Sequence, residues 1–143
     1  VYGDYMVPGA DPRVYTEITD TTKMVSTVEE YLEDYNATAK TKMPLVMFVD
    51  AVGHVARISR VIRQPRGNAL LLGVGGSGRQ SLSRLAAFMA EYELFSIEIT
   101  KSYGKNEWRE DLKKVLTTTG EDGKPLVFLF SDTQARNRPV IMW

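Results

Sequence analysis

One stretch limits the fold of this chain more than any other. Gly73-Val74-Gly75-Gly76-Ser77-Gly78-Arg79-Gln80-Ser81 joins the short apolar run Ala69-Leu70-Leu71-Leu72 to a segment with helical periodicity over residues 80–91. Four glycines in six residues are costly inside a helix or strand, because glycine loses the most conformational freedom when ordered. They suit a tight bend. On such a bend successive backbone N–H groups turn inward around a phosphate, with no Cβ in the way. The helix that follows adds the positive end of its dipole. The basic side chain at position 79 then reaches the outer phosphates. The spacing G-x-x-x-x-G followed by a base is that of a phosphate-binding loop. The candidate binding residues are Gly73, Gly75, Gly76, Ser77, Gly78, Arg79, Gln80 and Ser81. The competing reading is a glycine-rich turn in an ordinary α/β sheet.

The flanking periodicity supports the first reading. Ala69–Val74 is short and apolar, as a buried parallel strand is. Residues 80–91 put Leu82, Leu85, Ala86 and Met89 on one helical face. Leu94–Ile99 alternates as a strand. Asn106 is placed to cap a helix running to about Leu116, with Trp108, Leu112, Val115 and Leu116 inward. Gly120–Gly123 makes a turn, and Leu126–Phe130 is another buried strand. Strand, helix, strand, helix, strand is the pattern of a parallel sheet flanked by helices.

Upstream, Gly3, Pro8, Gly9 and Pro12 mark an irregular lead-in. Thr21 or Thr22 caps a helix from Lys23, whose inner stripe is Met24, Val28, Tyr31, Leu32 and Tyr35. Asn36–Met43 reads as a connector. A second helix is expected from Pro44, since proline suits the first turn. It carries Leu45, Phe48, Val52, Val55, Ser59 and Ile62 on one face and ends before Pro65. His54 lies off that face and reads as a packing or hydrogen-bonding residue. Arg57, Arg60 and Arg63 step along the same helix, either as a solvated basic face or as a contact for phosphate or a partner.

A phosphate site of this kind needs an acid at the end of a neighbouring strand. Asp132 follows Leu126–Phe130, 54 residues after Gly78, and is the candidate to hold Mg²⁺. Three residues depart from the usual set. Arg79 stands where lysine is common, and its planar fork prefers bidentate contacts. Gln80 occupies the position of the Mg²⁺-ligating hydroxyl. Thr133 follows Asp132 where a hydrolase of this type carries Glu, and threonine cannot act as a base at neutral pH. Binding without efficient hydrolysis is therefore expected.

Composition narrows the field further. The chain has 143 residues and no cysteine, so disulfides, Cys-ligated metal and thiol nucleophiles are excluded. A single histidine excludes a multi-His metal site. The longest apolar runs are too short for a bilayer, and no signal peptide is visible. The absence of an initiator Met suggests that the chain begins inside something longer. The formal net charge is zero, but residues 1–36 carry −6 and residues 37–114 carry +6. A basic middle suits a polyanion such as a nucleotide phosphate. Nucleic acid is disfavoured, because the arginine face lacks interleaved stacking aromatics.

The residues Leu71–Ala86, with Arg57–Gly67 before them and Val127–Gln134 after, resemble dynein heavy chains. More narrowly they resemble the fourth AAA+ module of the axonemal type, where a glycine-rich loop followed by Arg-Gln-Ser is familiar. Tyr103, Trp108–Lys113, Gly3–Met6 and Tyr31–Asn36 fit the same pattern, so the resemblance covers residues 1–134. It implies an α/β P-loop NTPase fold of AAA+ type, a three-layer sandwich on a parallel sheet, here incomplete and preceded by a helical lead-in. The implied division is a lead-in over 1–43, a partial module over 44–134 and a divergent tail over 135–143. The implied sheet order is 5-1-4-3-2; strands four and five, the sensor residues and the helical lid are not seen. The chain alone is therefore expected to be marginally stable and to bind ATP weakly.

The resemblance also implies function. The expected ligands are ATP or ADP with Mg²⁺, in a regulatory rather than hydrolytic role. Asp132 takes the Walker B position, and Leu45 and Val46 are candidates to touch adenine. The implied partners are the rest of the heavy-chain AAA+ ring and, through the full minus-end-directed motor, intermediate and light chains and microtubules. No nucleic acid or membrane partner is expected. The implied location is cytoplasmic and cytoskeletal, in the axoneme of a cilium or flagellum. Two other functions stay open: a weak ATPase using Glu98 or a neighbouring module as base, and a structural remnant or interaction fragment of a truncated motor.

Overall fold

The computed structural model describes residues 1–135. The chain divides into two compact units, Val1–Glu91 and a second beginning at Tyr92. Expectations for residues 136–143 lie outside the described residues.

The first unit is mainly helical. A two-residue antiparallel ladder pairs β1 (Tyr2–Gly3) with β2 (Thr16–Glu17) inside the lead-in that reads as irregular in sequence. Helix α1 spans Thr21–Thr38. Its cap is Asp20, whose carboxylate accepts the Lys23 N–H at 2.9 Å, rather than Thr21 or Thr22. A carboxylate serves there because the first backbone N–H groups have no partner within the helix. Met24, Val28, Tyr31 and Leu32 are buried, as their spacing predicts. Asn36 then closes the connector by accepting the Met43 N–H at 2.7 Å and donating to the Met43 carbonyl at 3.1 Å.

Helix α2 covers Val49–Arg63, so it starts five residues later than Pro44 suggests. Residues 44–48 are non-helical, with Phe48 in the extended cap position. Val52, Val55 and Ser59 point inward as expected, whereas Phe48 is exposed. The helix ends before Pro65, and the turn brings Gly67 against the Val61 carbonyl. A Cβ there would lie 1.8 Å from that oxygen, so only glycine fits. Helix α3 spans Arg79–Met89. Arg13 fastens the lead-in to its end by donating to the Met89 carbonyl at 2.6 Å and pairing with Glu91. The three helices enclose the core, in which Met24, Val28, Val52, Val55, Leu85 and Met89 are fully buried. Each such side chain contributes roughly 1.5–3 kcal/mol relative to exposure.

The second unit is α/β. Strands β3 (Glu93–Ser96) and β4 (Leu126–Leu129) pair in parallel, in the register Glu93 opposite Leu126 and Ser96 opposite Leu129. Helix α4 (Lys105–Gly120) provides the crossover. Its cap is Gly104, whose N–H donates to the Glu107 carboxylate at 2.8 Å; Asn106 lies inside the helix. The apolar face of α4 is only partly covered. Trp108 and Val115 are half-buried, while Leu116 is 67% exposed. Phe95 and Phe128 stack at 5.7 Å across the two strands. A short helix, α5 (Asp132–Ala135), follows β4.

One expected strand does not form. Residues 69–74 form neither helix nor ladder, and Leu70, Leu72 and Val74 are 84%, 82% and 79% exposed. A strand exists through its partners, which take up its N–H and C=O groups. In the order 5-1-4-3-2 the first strand lies between strands five and four, and neither occurs among the described residues. Strands two and three are neighbours in that order, and β3 and β4 are the parallel pair it requires.

Candidate phosphate-binding loop

The loop is assembled from a bend and a helix start. Gly76 (φ 78°) and Gly78 (φ 74°) both adopt the left-handed region, where a Cβ is disfavoured. Ser77 N–H closes the turn onto the Val74 carbonyl at 3.3 Å. Gly78 is the cap of α3, and its carbonyl accepts the Leu82 N–H at 2.8 Å. No side chain caps the helix. The first N–H groups of α3 are thus left for solvent or a ligand, together with the positive dipole end.

The loop is open. Residues 73–77 are exposed, and a Cβ built at Gly75, Gly76 or Gly78 meets nothing within 4 Å. Arg79 is folded back over it. Its guanidinium donates to the Val74 carbonyl at 3.2 Å and lies 3.5 Å from the Leu71 carbonyl, passing beside Gly73. A planar two-ended donor suits this double contact, and the single ammonium of lysine does not reproduce it. Gln80 is exposed and Ser81 half-buried, both in the first turn of α3. Sequence spacing gives no sign that Arg79 binds the loop's own carbonyls.

Leu45 and Val46 lie in the non-helical segment before α2, where the Leu45 N–H donates to the Met43 carbonyl at 3.0 Å, and not at a helix start. Leu45 packs against the core, and Val46 is 82% exposed.

Asp132 belongs to the second unit, at the head of α5. Its carboxylate is exposed and has no partner among the described residues. The residues around it are held in place. Ser131 N–H donates to the Gln134 side-chain oxygen at 2.8 Å, and Gln134 donates to the Ile97 carbonyl at 2.5 Å and to Ser96 Oγ at 3.1 Å. Gln134 thus ties the end of β4 to the end of β3. The Thr133 hydroxyl is engaged with Ser131 Oγ at 2.9 Å. The sequence signal for Gln134 was its place two residues after the acid, but nothing in the pattern revealed its partners.

His54 is exposed, with Nδ1 3.4 Å from the Arg57 guanidinium, in keeping with a hydrogen-bonding residue. No group of three acidic or histidine side chains suited to a metal occurs among the described residues. None of the described helices is long and apolar enough to cross a membrane.

A glycine bend capping a helix, followed along the chain by a parallel β-α-β unit, defines an α/β protein of AAA+ type. Its sequence matches the family described as P-loop containing dynein motor region D4 over residues 43–141, and the chain belongs to that family. It is similar to dynein axonemal heavy chain 1 of Mus musculus, 59% identical over 96% of this chain. It is 48% identical over 98% of its length to dynein axonemal heavy chain 3 of Homo sapiens. It is also 51% identical over 91% of its length to the dynein-1-beta heavy chain, flagellar inner arm I1 complex, of Chlamydomonas reinhardtii. The chain spans 3% of the length of each of these relatives.

Proposed function

We propose that this chain is the nucleotide-binding part of the fourth AAA+ module of an axonemal dynein heavy chain, and that it binds nucleotide without efficient hydrolysis. The observation that carries the reading is the bend at Gly76 and Gly78, which leaves the start of α3 open and without a side-chain cap. A phosphate there meets backbone N–H donors and the helix dipole together. Residues 44–134 form the module on this reading, and residues 1–43 lead into it.

The roles divide by residue. Gly73, Gly75, Gly76, Ser77 and Gly78 shape the cradle. Gln80 and Ser81 lie in the first helical turn beside the phosphates. Arg79 exchanges the Leu71 and Val74 carbonyls for an outer phosphate. Leu45 and Val46 are the adenine contacts. Asp132 would hold Mg²⁺, an ion that takes carboxylate oxygen as a ligand. Bound Mg²⁺ would neutralise phosphate charge. Thr133 supplies no base at neutral pH, which separates binding from turnover. Within a whole heavy chain the module acts as a regulator of a microtubule motor in a cilium or flagellum, alongside the other modules of the ring and the intermediate and light chains. The names of the relatives support this setting.

The test is titration of the chain with ATP and with ADP, with and without Mg²⁺, comparing Arg79→Ala. Saturable binding that weakens at least tenfold in the variant, with no phosphate release, supports the reading. Unchanged affinity in Arg79→Ala removes the loop as the site, and steady phosphate release removes the non-hydrolytic role.

A further inference from the structure

We propose that Gln134 is the positioning residue for Asp132, and that its carboxamide sets how well the chain holds Mg²⁺ beside a nucleotide. The role rests on the reading of Asp132 as the ion's holder, and it names the group that keeps that carboxylate in place.

Asp132 does not fix its own position. It opens α5, which has four residues, and a helix that short does not sustain itself without tertiary contacts. The Asp132 carboxylate is exposed and makes no hydrogen bond or ion pair among the described residues. Gln134, two residues on, is the opposite. It is 9% exposed, and both ends of its carboxamide have partners. Oε1 accepts the Ser131 N–H at 2.8 Å. Nε2 donates to the Ile97 carbonyl at 2.5 Å and to Ser96 Oγ at 3.1 Å. The Gln134 N–H in turn donates to the Ser131 carbonyl at 3.0 Å. Asp132 and Thr133 are therefore enclosed in a ring that is closed twice, once by backbone and once by side chain.

The residue type is specific to this task. Reaching back from the third helical residue to the N–H before the helix is what Glu or Gln does in a capping box. An ionised Glu makes that bond but has no donor for the Ile97 carbonyl. The carboxamide makes both, and so fastens the turn carrying Asp132 to the end of β3. Ser96 ends β3, and Leu129 opposite it ends β4. The tie thus lies at the carboxyl edge of the parallel pair, the edge where open α/β sheets place ligands. Outer groups that hold metal ligands in place are worth roughly 10–100-fold in metal affinity.

The experiment measures ATP affinity of the full chain by calorimetry with and without Mg²⁺; the ratio is the Mg²⁺ advantage. Gln134→Met keeps the length and apolar stem of the side chain and removes its polar contacts. The Mg²⁺ advantage is expected to fall about tenfold, with Mg²⁺-free affinity unchanged. Ser96→Ala removes one acceptor and leaves the rest of the joint, so the fold is retained and the advantage falls about two- to fivefold. Asp132→Ala abolishes the advantage and sets the floor. Hydrogen exchange at the Ser131 amide, faster in Gln134→Met, reads the joint with no ligand present. A purely structural role lowers the melting midpoint and weakens ATP binding equally with and without the ion. That outcome, or an unchanged advantage in Gln134→Met, overturns the proposal while Asp132 keeps its role. Should Gln134→Met not fold, an unchanged advantage in Ser96→Ala overturns it instead. An Asp132→Ala chain that keeps the parent's advantage removes Asp132 as the ion's holder, and the role of Gln134 falls with it.

Discussion

Replacing Gly78 with alanine isolates the backbone contribution of the loop. Gly78 sits at φ 74°, ψ 5°. A Cβ there touches nothing within 4 Å, so the substitution introduces no clash. What remains is the left-handed conformation itself, which costs an L-residue about 1–2 kcal/mol. That cost can appear in two places. If the free loop keeps its shape, the strain lowers stability, and the melting midpoint falls by about 2–4 °C per kcal/mol. If the free loop relaxes, nucleotide binding must restore the shape, and at about 1.4 kcal/mol per decade the affinity falls about 5–30-fold. Calorimetric titration with Mg-nucleotide and a thermal melt on the same samples read both. The two losses together should amount to the same total, about 1–2 kcal/mol. Gly75→Ala is the control, because Gly75 has no positive φ and equally open surroundings; its melting midpoint should match the parent chain. A Gly78→Ala variant that melts and binds like the parent would show that the left-handed bend is not part of the binding conformation.

Two further outcomes follow from the first unit. Asp20→Ala removes the carboxylate that accepts the Lys23 N–H and should lower stability by about 1 kcal/mol, while Asp20→Asn largely restores it; denaturant unfolding checks this, and an unchanged midpoint in the alanine variant would refute the cap. Burial, aided by the Asp4 and Tyr15 charges, pushes the Tyr5 phenol up to about 12 from its ordinary value of 10.0. The folded chain therefore holds a proton that the unfolded chain releases, so this stabilisation is complete below pH 10 and is lost as pH rises through about 12. Tyr5→Phe should flatten the fall in stability across that window; Tyr31 and Tyr103, whose phenols burial also raises, keep a residual slope. Identical alkaline unfolding curves would contradict the assignment.

Much of the architecture was legible because local rules decided it. The stripe Met24, Val28, Tyr31 and Leu32 is helical in spacing and buried in fact. Pro65 ends α2, where its ring forbids continuation. Glycines at 76 and 78 stand where the bend needs positive φ. Helix starts were less legible. Pro44 is compatible with a first turn but does not compel one, and the chain stays non-helical to Phe48. Asp20 and Gly104 replaced the expected caps because several nearby residues can take that role, and the backbone path selects one. The two-residue ladder of β1 and β2 has too few residues to leave a periodic signal.

Sequence by itself determined the glycine bend, its helix and the apolar faces that follow it, because each depends on the allowed angles and spacing of adjacent residues. Tertiary structure decided which side chains met. Residues 69–74 have the composition of a buried strand yet form no ladder, since pairing requires another strand at the right edge. Arg79 rests on carbonyls five and eight residues behind it, and Gln134 meets Ser96 and Ile97, 38 and 37 residues earlier in the chain. Such meetings are set by the packing of whole elements, and one-dimensional spacing carries no record of them.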